Sequence, residues 1–456
     1  MCLRDSLPGR VVDLGLCNDL YELTMAQAFH SQRMVAPATF SLFVRKYPPN
    51  RGYLVSAGLE DVLDYLEAFS FDDDSLEYLE STGIFNSRFL QYLANIRFTG
   101  SVRAIPEGRL FFTDEPVLEV TAPIIEAQLA ETFIINQVNL QTLLATKAAR
   151  CVWAAGGKPL SDFSARRTHG TDAAMKMARS SYLAGFQSTS NGLAASRYGI
   201  PPAGTMAHSF ISSFVSEQDA FQVYADSFPD NTIFLLDTFV TLAGAGKAVR
   251  VARNLESRGH RLTAVRLDSG DFDSLSRQVR SILDTAGLEY VKILASGGLD
   301  EFHLQSLVHT DAPIDLFGVG TKAGVSADAP WSDMAYKLVW YDGRPVMKLS
   351  EDKIYRPGAK QGVRILGTDG MFARDIRAME DEGLVGGSPL LYEAMSNGTR
   401  TSPSPPLGAI RDQFNEDFQR LGHHFKCLTD PPSYPVDVTP NLKRLTDELK
   451  GTIGSH

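Results

Sequence analysis

His208 lies in the run GTMAHS (204–209), among small and hydroxylic residues. An imidazole in such a setting can donate a hydrogen bond, move a proton, or act as a nucleophile that takes up a phosphoryl group. A lone histidine is more often a bystander, so its neighbours decide. VRLDSGD (265–271) gathers Arg266, Asp268 and Asp271 around one turn, and LLDTF (235–239) adds Asp237. Carboxylates of this kind suit a ribose hydroxyl, or a Mg²⁺ ion carried by a diphosphate. DFSARRTHG (162–170) supplies Arg166 and Arg167, whose guanidinium groups can grip a carboxylate or diphosphate with two parallel bonds. ASGGLDE (295–301) and FGVGTK (317–322) place Gly297, Gly298 and Gly320 where the absence of a Cβ lets backbone N–H groups approach an anion. A helix beginning near Leu299-Asp300 would add its N-terminal dipole.

These residues need a scaffold that brings them together. From about residue 158, short apolar segments end in polar or glycine clusters. The ends are DFSARR (162–167), GFQSTSN (185–191), GTMAHS (204–209), FLLDTF (234–239), AVRLDSGD (264–271), ILASGG (293–298) and DLFGVGT (315–321). Stretches of helical spacing, such as 243–258 and 272–286, lie between them. About seven strand-then-helix units result, with AYKLVW (336–341) available as an eighth. The simplest closed arrangement is an α/β barrel, whose active face is formed by the residues just after the strands. Here those residues are Arg, Ser, Thr, His, Asp and Gly.

The first third reads as an α+β domain. It has a helix over 18–30, a strand over 37–48, a helix over 56–69, short strands over 101–123, and one long helix over 124–150. Residues 342–456 return to turns, strands and a late helix, and some of them should rejoin the first domain. The expected division is therefore 1–150, 151–341 and 342–456, with 398–408 an exposed linker.

The chain has 456 residues and a formal net charge of -10, so charge gives no reason to propose a nucleic-acid partner. No 18-residue apolar run points to the membrane, and the N-terminal stretch has no apolar secretory core. The four cysteines are scattered without a CxxC pair, which suits a reducing cytoplasm better than a disulfide framework or a zinc site.

Taken in order, the motifs resemble the nicotinate phosphoribosyltransferases of the type II phosphoribosyltransferase class. They are DLYELTMAQAF (19–29), ATFSLFVR (38–45), IPEG (105–108), FSARR (163–167), AGFQSTSN (184–191), GIPPAGTMAHSF (199–210), LLDT (235–238), VRLDSGD (265–271), ASGGLDE (295–301), FGVGT (317–321) and KLSEDK (348–353). The resemblance implies an irregular α/β barrel with an N-terminal sandwich domain completed by C-terminal segments, working as a homodimer with shared active sites. It implies that nicotinate and 5-phosphoribosyl-1-diphosphate give nicotinate mononucleotide and diphosphate. ATP hydrolysis is coupled through a phosphohistidine at His208, and Mg²⁺ accompanies the diphosphates. On that reading Tyr21, with Asp19 beside it, comes from the second subunit and stacks on the pyridine ring opposite Phe163. Arg166, Ser188, Thr205 and Arg266 surround the base, Asp268 holds the ribose with Asp237 nearby, and Gly297, Gly298, Gly320 and Thr321 cradle the 5-phosphate. A nicotinamide-specific relative would carry an acid in the Ser188–Ser190 stretch, which is absent here. A non-catalytic barrel that binds phosphoribosyl ligands is the alternative outside enzymology.

Overall fold

The computed structural model describes residues 14–349, 355–383 and 386–454. Cys2 and most of the KLSEDK segment lie outside them. The chain forms two compact units, one of residues 1–143 with 331–456 and one of residues 144–330.

The first unit is built on a seven-stranded antiparallel sheet. Its order is Arg344–Pro345, Met334–Tyr341, Pro37–Val44, Leu118–Pro123, Ser101–Ala104, Tyr392–Ser396 and Thr399–Arg400. The strand Pro37–Val44 is buried along all but its first residue, as a central strand must be. Helices Leu20–Ser31, Leu59–Glu67, Ser87–Asn95 and Ile124–Leu129 pack on the sheet through Leu23, Val62, Leu66, Phe89 and Ile125 in one apolar core. The long helix expected over 124–150 is two helices, Ile124–Leu129 and Glu131–Ala154, broken at Ala130. The segment 336–341 is not an eighth barrel strand. It belongs to Met334–Tyr341, which pairs antiparallel with Pro37–Val44 from Ala38↔Tyr341 to Val44↔Met334. The linker region is partly anchored: residues 401–406 are exposed, but Arg400 forms ion pairs with Glu60, Asp64 and Glu67.

The second unit holds a six-stranded, all-parallel sheet in the order Ser188–Thr189, Leu160–Asp162, Leu316–Val319, Lys292–Ser296, Ala264–Leu267, Ile233–Leu235. The first strand in sequence lies beside both the second and the last, which is the neighbour order of a barrel. Beyond Thr189 the ladder continues as a single parallel bridge to Pro202. The seventh expected strand, before GTMAHS, is therefore reduced to one bridged residue followed by a loop and the short helix His208–Ser212. Val265, Leu267, Ile293, Ala295, Phe317 and Val319 are fully buried. Such strands read as continuous apolar runs because a parallel sheet is covered on both faces. Each strand leads into a helix, among them Thr241–Ser257 and Phe272–Thr285, so the polar residues at the strand ends share one rim.

Candidate active site

At that rim a cavity of about 380 Å³ is lined by residues from four strand ends and from the loop after Pro202, including Phe163, Arg166, Thr205, His208, Arg266 and Asp268. Arg266 is its organising residue. Its Nε donates to Ser296 Oγ (2.7 Å), Nη1 to Thr205 Oγ1 (3.0 Å), and Nη2 to Asp268 Oδ1 (2.6 Å). The guanidinium carbon stands 5.5 Å from the centre of the Phe163 ring, a cation–π distance. Ser296 also donates to Asp268 Oδ1 at 2.5 Å, so arginine, serine and aspartate form a closed triangle. Burial works against ionisation of Asp268. The Ser296 hydrogen bond, the Arg266 charge and His208 outweigh it, and its carboxyl is held below the ordinary range. Asp268 is thus a fixed anion whose second oxygen faces the histidine.

His208 is the first residue of a helix and half-exposed at the cavity. Its Nδ1 is 3.1 Å from Thr238 Oγ1, and its Nε2 is 3.7 Å from Asp268 Oδ2. One ring nitrogen is therefore engaged by a hydroxyl, and the other faces a carboxylate across the cavity.

The glycines have steric reasons. Gly297 has φ +97°, and a Cβ there would stand 1.9 Å from the carbonyl oxygen of Asp268. Gly318 lets the Phe163 ring lie against the strand, where a Cβ would meet ring carbons at 2.5 Å. Gly320 caps the short helix Thr321–Gly324, and Arg167 Nη1 donates to Thr321 Oγ1 at 3.3 Å. The helix Glu301–His309 does begin after Asp300, but Asp300 accepts from the His303 N–H at 3.0 Å and pairs with Lys322 at 2.8 Å. That helix end already has an anion of its own. Burial notwithstanding, Lys322 and His303 bring the Asp300 carboxyl down to about 2.

Other expected residues are placed differently. Ser188 is hydrogen-bonded to Ser161 at 2.7 Å, and it is Ser190 of the same stretch that lines the cavity. Asp271 caps the helix Phe272–Thr285 by accepting from the N–H groups of Asp273 and Ser274. Asp237 accepts a short hydrogen bond from Ser269, and its other oxygen, Oδ1, is buried without a hydrogen-bond partner. Among the described residues no group of three or more His, Cys, Asp and Glu side chains is disposed to hold a metal ion. Asp237 Oδ1 fits an ion such as Mg²⁺ that takes most of its ligands from a bound diphosphate. Tyr21 and Asp19 belong to the first unit. Asp19 is the N-cap of Leu20–Ser31, its N–H donating to Thr132 at 3.2 Å. Tyr21 is 46% exposed, large for an aromatic ring. Ser296 and Thr238 escaped the sequence reading. A serine preceding a glycine pair and a threonine following a strand-end aspartate were the available signals.

The sequence matches the nicotinate phosphoribosyltransferase N-terminal domain model over residues 16–139, the nicotinate phosphoribosyltransferase family model over 159–351, and the C-terminal domain model of the same enzymes over 385–446. The chain belongs to the nicotinate phosphoribosyltransferase family. A nicotinate phosphoribosyltransferase of Mycobacterium tuberculosis is 50% identical over 94% of this chain and 92% of its own length. One from Bacillus subtilis is 36% identical over 93% of both. The crystal structure of human nicotinic acid phosphoribosyltransferase superposes with a TM-score of 0.86 at 29% identity, covering 94% of this chain and 99% of that one. The nicotinate-nucleotide pyrophosphorylase of Pyrococcus furiosus gives 0.75 at 25% identity, covering 91% and 98%. Among the described residues no helix is long and apolar enough to cross a membrane.

Proposed function

We propose that this member of the family joins nicotinate to 5-phosphoribosyl-1-diphosphate, with ATP hydrolysis coupled through phosphorylation of His208. The carrying observation is the Phe163–Arg266–Asp268–His208 cavity, which combines an aromatic face, a fixed cation and a fixed anion at one barrel rim. The pyridine nitrogen forms a bond to C1 of the ribose as the bond from C1 to the diphosphate oxygen breaks, and the diphosphate leaves with the electron pair. The transition state resembles an oxocarbenium ion, so positioning and charge outweigh any protein nucleophile. Phe163 offers one face to the ring, Arg266 and Arg166 attract the nicotinate carboxylate, and Asp268 accepts from the ribose hydroxyls. Gly297, Gly298, Gly320 and Thr321 supply backbone and hydroxyl donors to the 5-phosphate. Mg²⁺, when bound with a diphosphate, neutralises charge on it, with Asp237 as a protein ligand. Tyr21 and Asp19 complete the site from a second copy of the chain.

In the ATP half-reaction, Nε2 of His208 bonds to the γ-phosphorus as ADP departs, and water later cleaves the P–N bond to give phosphate. Thr238 at Nδ1 leaves Nε2 as the nitrogen that faces the cavity. The test is mononucleotide formation from nicotinate and from nicotinamide, with and without ATP, in the wild type and in His208→Ala. Nicotinate should be the substrate, and ATP should stimulate turnover only when His208 is present. Full ATP-stimulated turnover in His208→Ala, with acid-labile phosphate still on the protein, would sink the histidine's role. Ligand binding without turnover would sink the enzyme reading.

A further inference from the structure

The first unit contains a second cavity, of about 260 Å³, whose wall is dominated by cations. Among the described residues Arg356, Lys360, Arg377 and Lys450 line it, against one carboxylate, Asp114. This is unusual for a chain whose net charge is -10. Three of the four charges are answered locally. Lys360 is buried and lies 3.3 Å from the buried carboxylate of Glu119. Arg377 lies 3.6 Å from Asp114 Oδ2, and its Nη1 donates to the Asp114 carbonyl at 3.1 Å. Lys450 lies 4.0 Å from Asp447. Among the described residues Arg356 has no carboxylate of its own in the wall, so the described wall carries a surplus of about one positive charge.

A second observation points to a missing acceptor. Arg377 is only 8% exposed, yet its Nε is buried without a hydrogen-bond partner. A guanidinium N–H left unpaired in a buried place is costly, and its presence calls for an explanation. Phe43 and Tyr355, with ring centres 6.3 Å apart, add apolar surface to the same wall. We propose that this cavity is a binding site for a phosphate dianion, either free phosphate or the phosphate of a small phosphomonoester, distinct from the site at the barrel rim. The phosphate's negative charge answers the surplus, and its oxygens are acceptors for Arg377 Nε and for Arg356 and Lys450. The volume suits a small molecule.

The test is hydrogen–deuterium exchange of the full chain titrated separately with inorganic phosphate and with ribose 5-phosphate. This reads the cavity directly and independently of turnover. Exchange should slow in peptides covering 355–379 and 440–454. The midpoint should rise about ten-fold or more in Lys450→Glu and in Arg356→Gln, which alter partly exposed side chains and leave the fold intact. A lower midpoint for ribose 5-phosphate assigns the site to phosphomonoesters, and a lower one for phosphate assigns it to the free ion. The KM for the phosphoribosyl donor should stay unchanged in both variants. Absence of protection in these peptides, or equal midpoints in variants and wild type, overturns the proposal. So does a KM that rises in parallel with the midpoint, because the cavity would then be part of the catalytic site.

Discussion

Asp268 and Glu22 show burial resolved in opposite directions. At Asp268, hydrogen bonding and ion pairing overcome desolvation and hold the carboxyl low. Its stabilising contribution is present above the ordinary carboxyl range and is lost as pH falls through its depressed value. Glu22, next to Tyr21, is fully buried, and its Oε2 has no hydrogen-bond partner. Burial first, then the nearby Glu131 and Asp19, raises its pKa from 4.5 to about 8, although Thr132 donates to it at 2.6 Å. The folded state therefore holds a proton at neutral pH that the unfolded chain has released, and folding weakens as pH rises from 4.5 towards 8. Gln keeps the acceptor for Thr132 and cannot ionise. Glu22→Gln should match the wild type near pH 5 and gain on it steadily to pH 8. Above that the advantage levels off, on the order of 3–5 kcal/mol before relaxation. Thermal unfolding across pH 5–9 checks this, and an advantage independent of pH would contradict it.

At the scale of elements, the strand ends are where the sequence was most readable. A buried parallel strand is largely apolar, so polar residues at its end mark the rim: Arg266 and Asp268 flank the last residue of Ala264–Leu267, Phe163 follows Leu160–Asp162, and His208 follows the loop after the bridged Pro202. Pairing was less readable. Met334–Tyr341 has a mixed burial pattern that does not reveal its neighbours, and only the structure joins it to Pro37–Val44. Hydroxyl partners were also hidden: Ser188 and Ser190 are two apart, and only where the short strand Ser188–Thr189 ends decides that Ser188 bonds to Ser161 while Ser190 lines the cavity. The glycine turn, by contrast, carries a graded prediction. Gly297 and Gly298 both have positive φ, +97° and +67°, but only at Gly297 would a Cβ strike the Asp268 backbone. Gly298→Ala should cost about 1–2 kcal/mol for the left-handed backbone alone. Gly297→Ala should cost roughly 3 kcal/mol or more, since the Asp268 strand end must also move. Chemical denaturation of the two variants decides, and equal losses would mean that the close approach imposes no constraint.

At the scale of the whole molecule, the question is how the last hundred residues are bound to the first. Arg364, 1% exposed at its side chain, donates to Asp375 at 2.7 Å, to Asp417 at 3.2 Å and to the carbonyl of Leu110 at 2.8 Å. Asp417, on the helix Leu407–Arg420, also accepts from Arg109 at 2.8 Å and from the Leu110 N–H at 3.0 Å. Glu115 joins the cluster, and its carboxyl is raised well above the ordinary range by burial and by Asp375, against the pull of Arg364. With Glu115 protonated, two arginines balance two aspartates, and the buried cluster is neutral. The sequence could not disclose this, because its members lie up to 308 positions apart and belong to no motif. Removing one partner of such a network leaves buried charge uncompensated, at a cost of about 3–5 kcal/mol. Arg364→Met keeps the apolar contacts with Phe112 and Phe372 but leaves Asp375 and Asp417 facing each other with Arg109 alone. It should lower the thermal midpoint by several degrees. The loss should shrink when Asp375→Asn is added, because the second change removes one of the stranded charges. A double variant no more stable than Arg364→Met would show that packing, rather than charge balance, joins the C-terminal segments to the N-terminal part of the first unit.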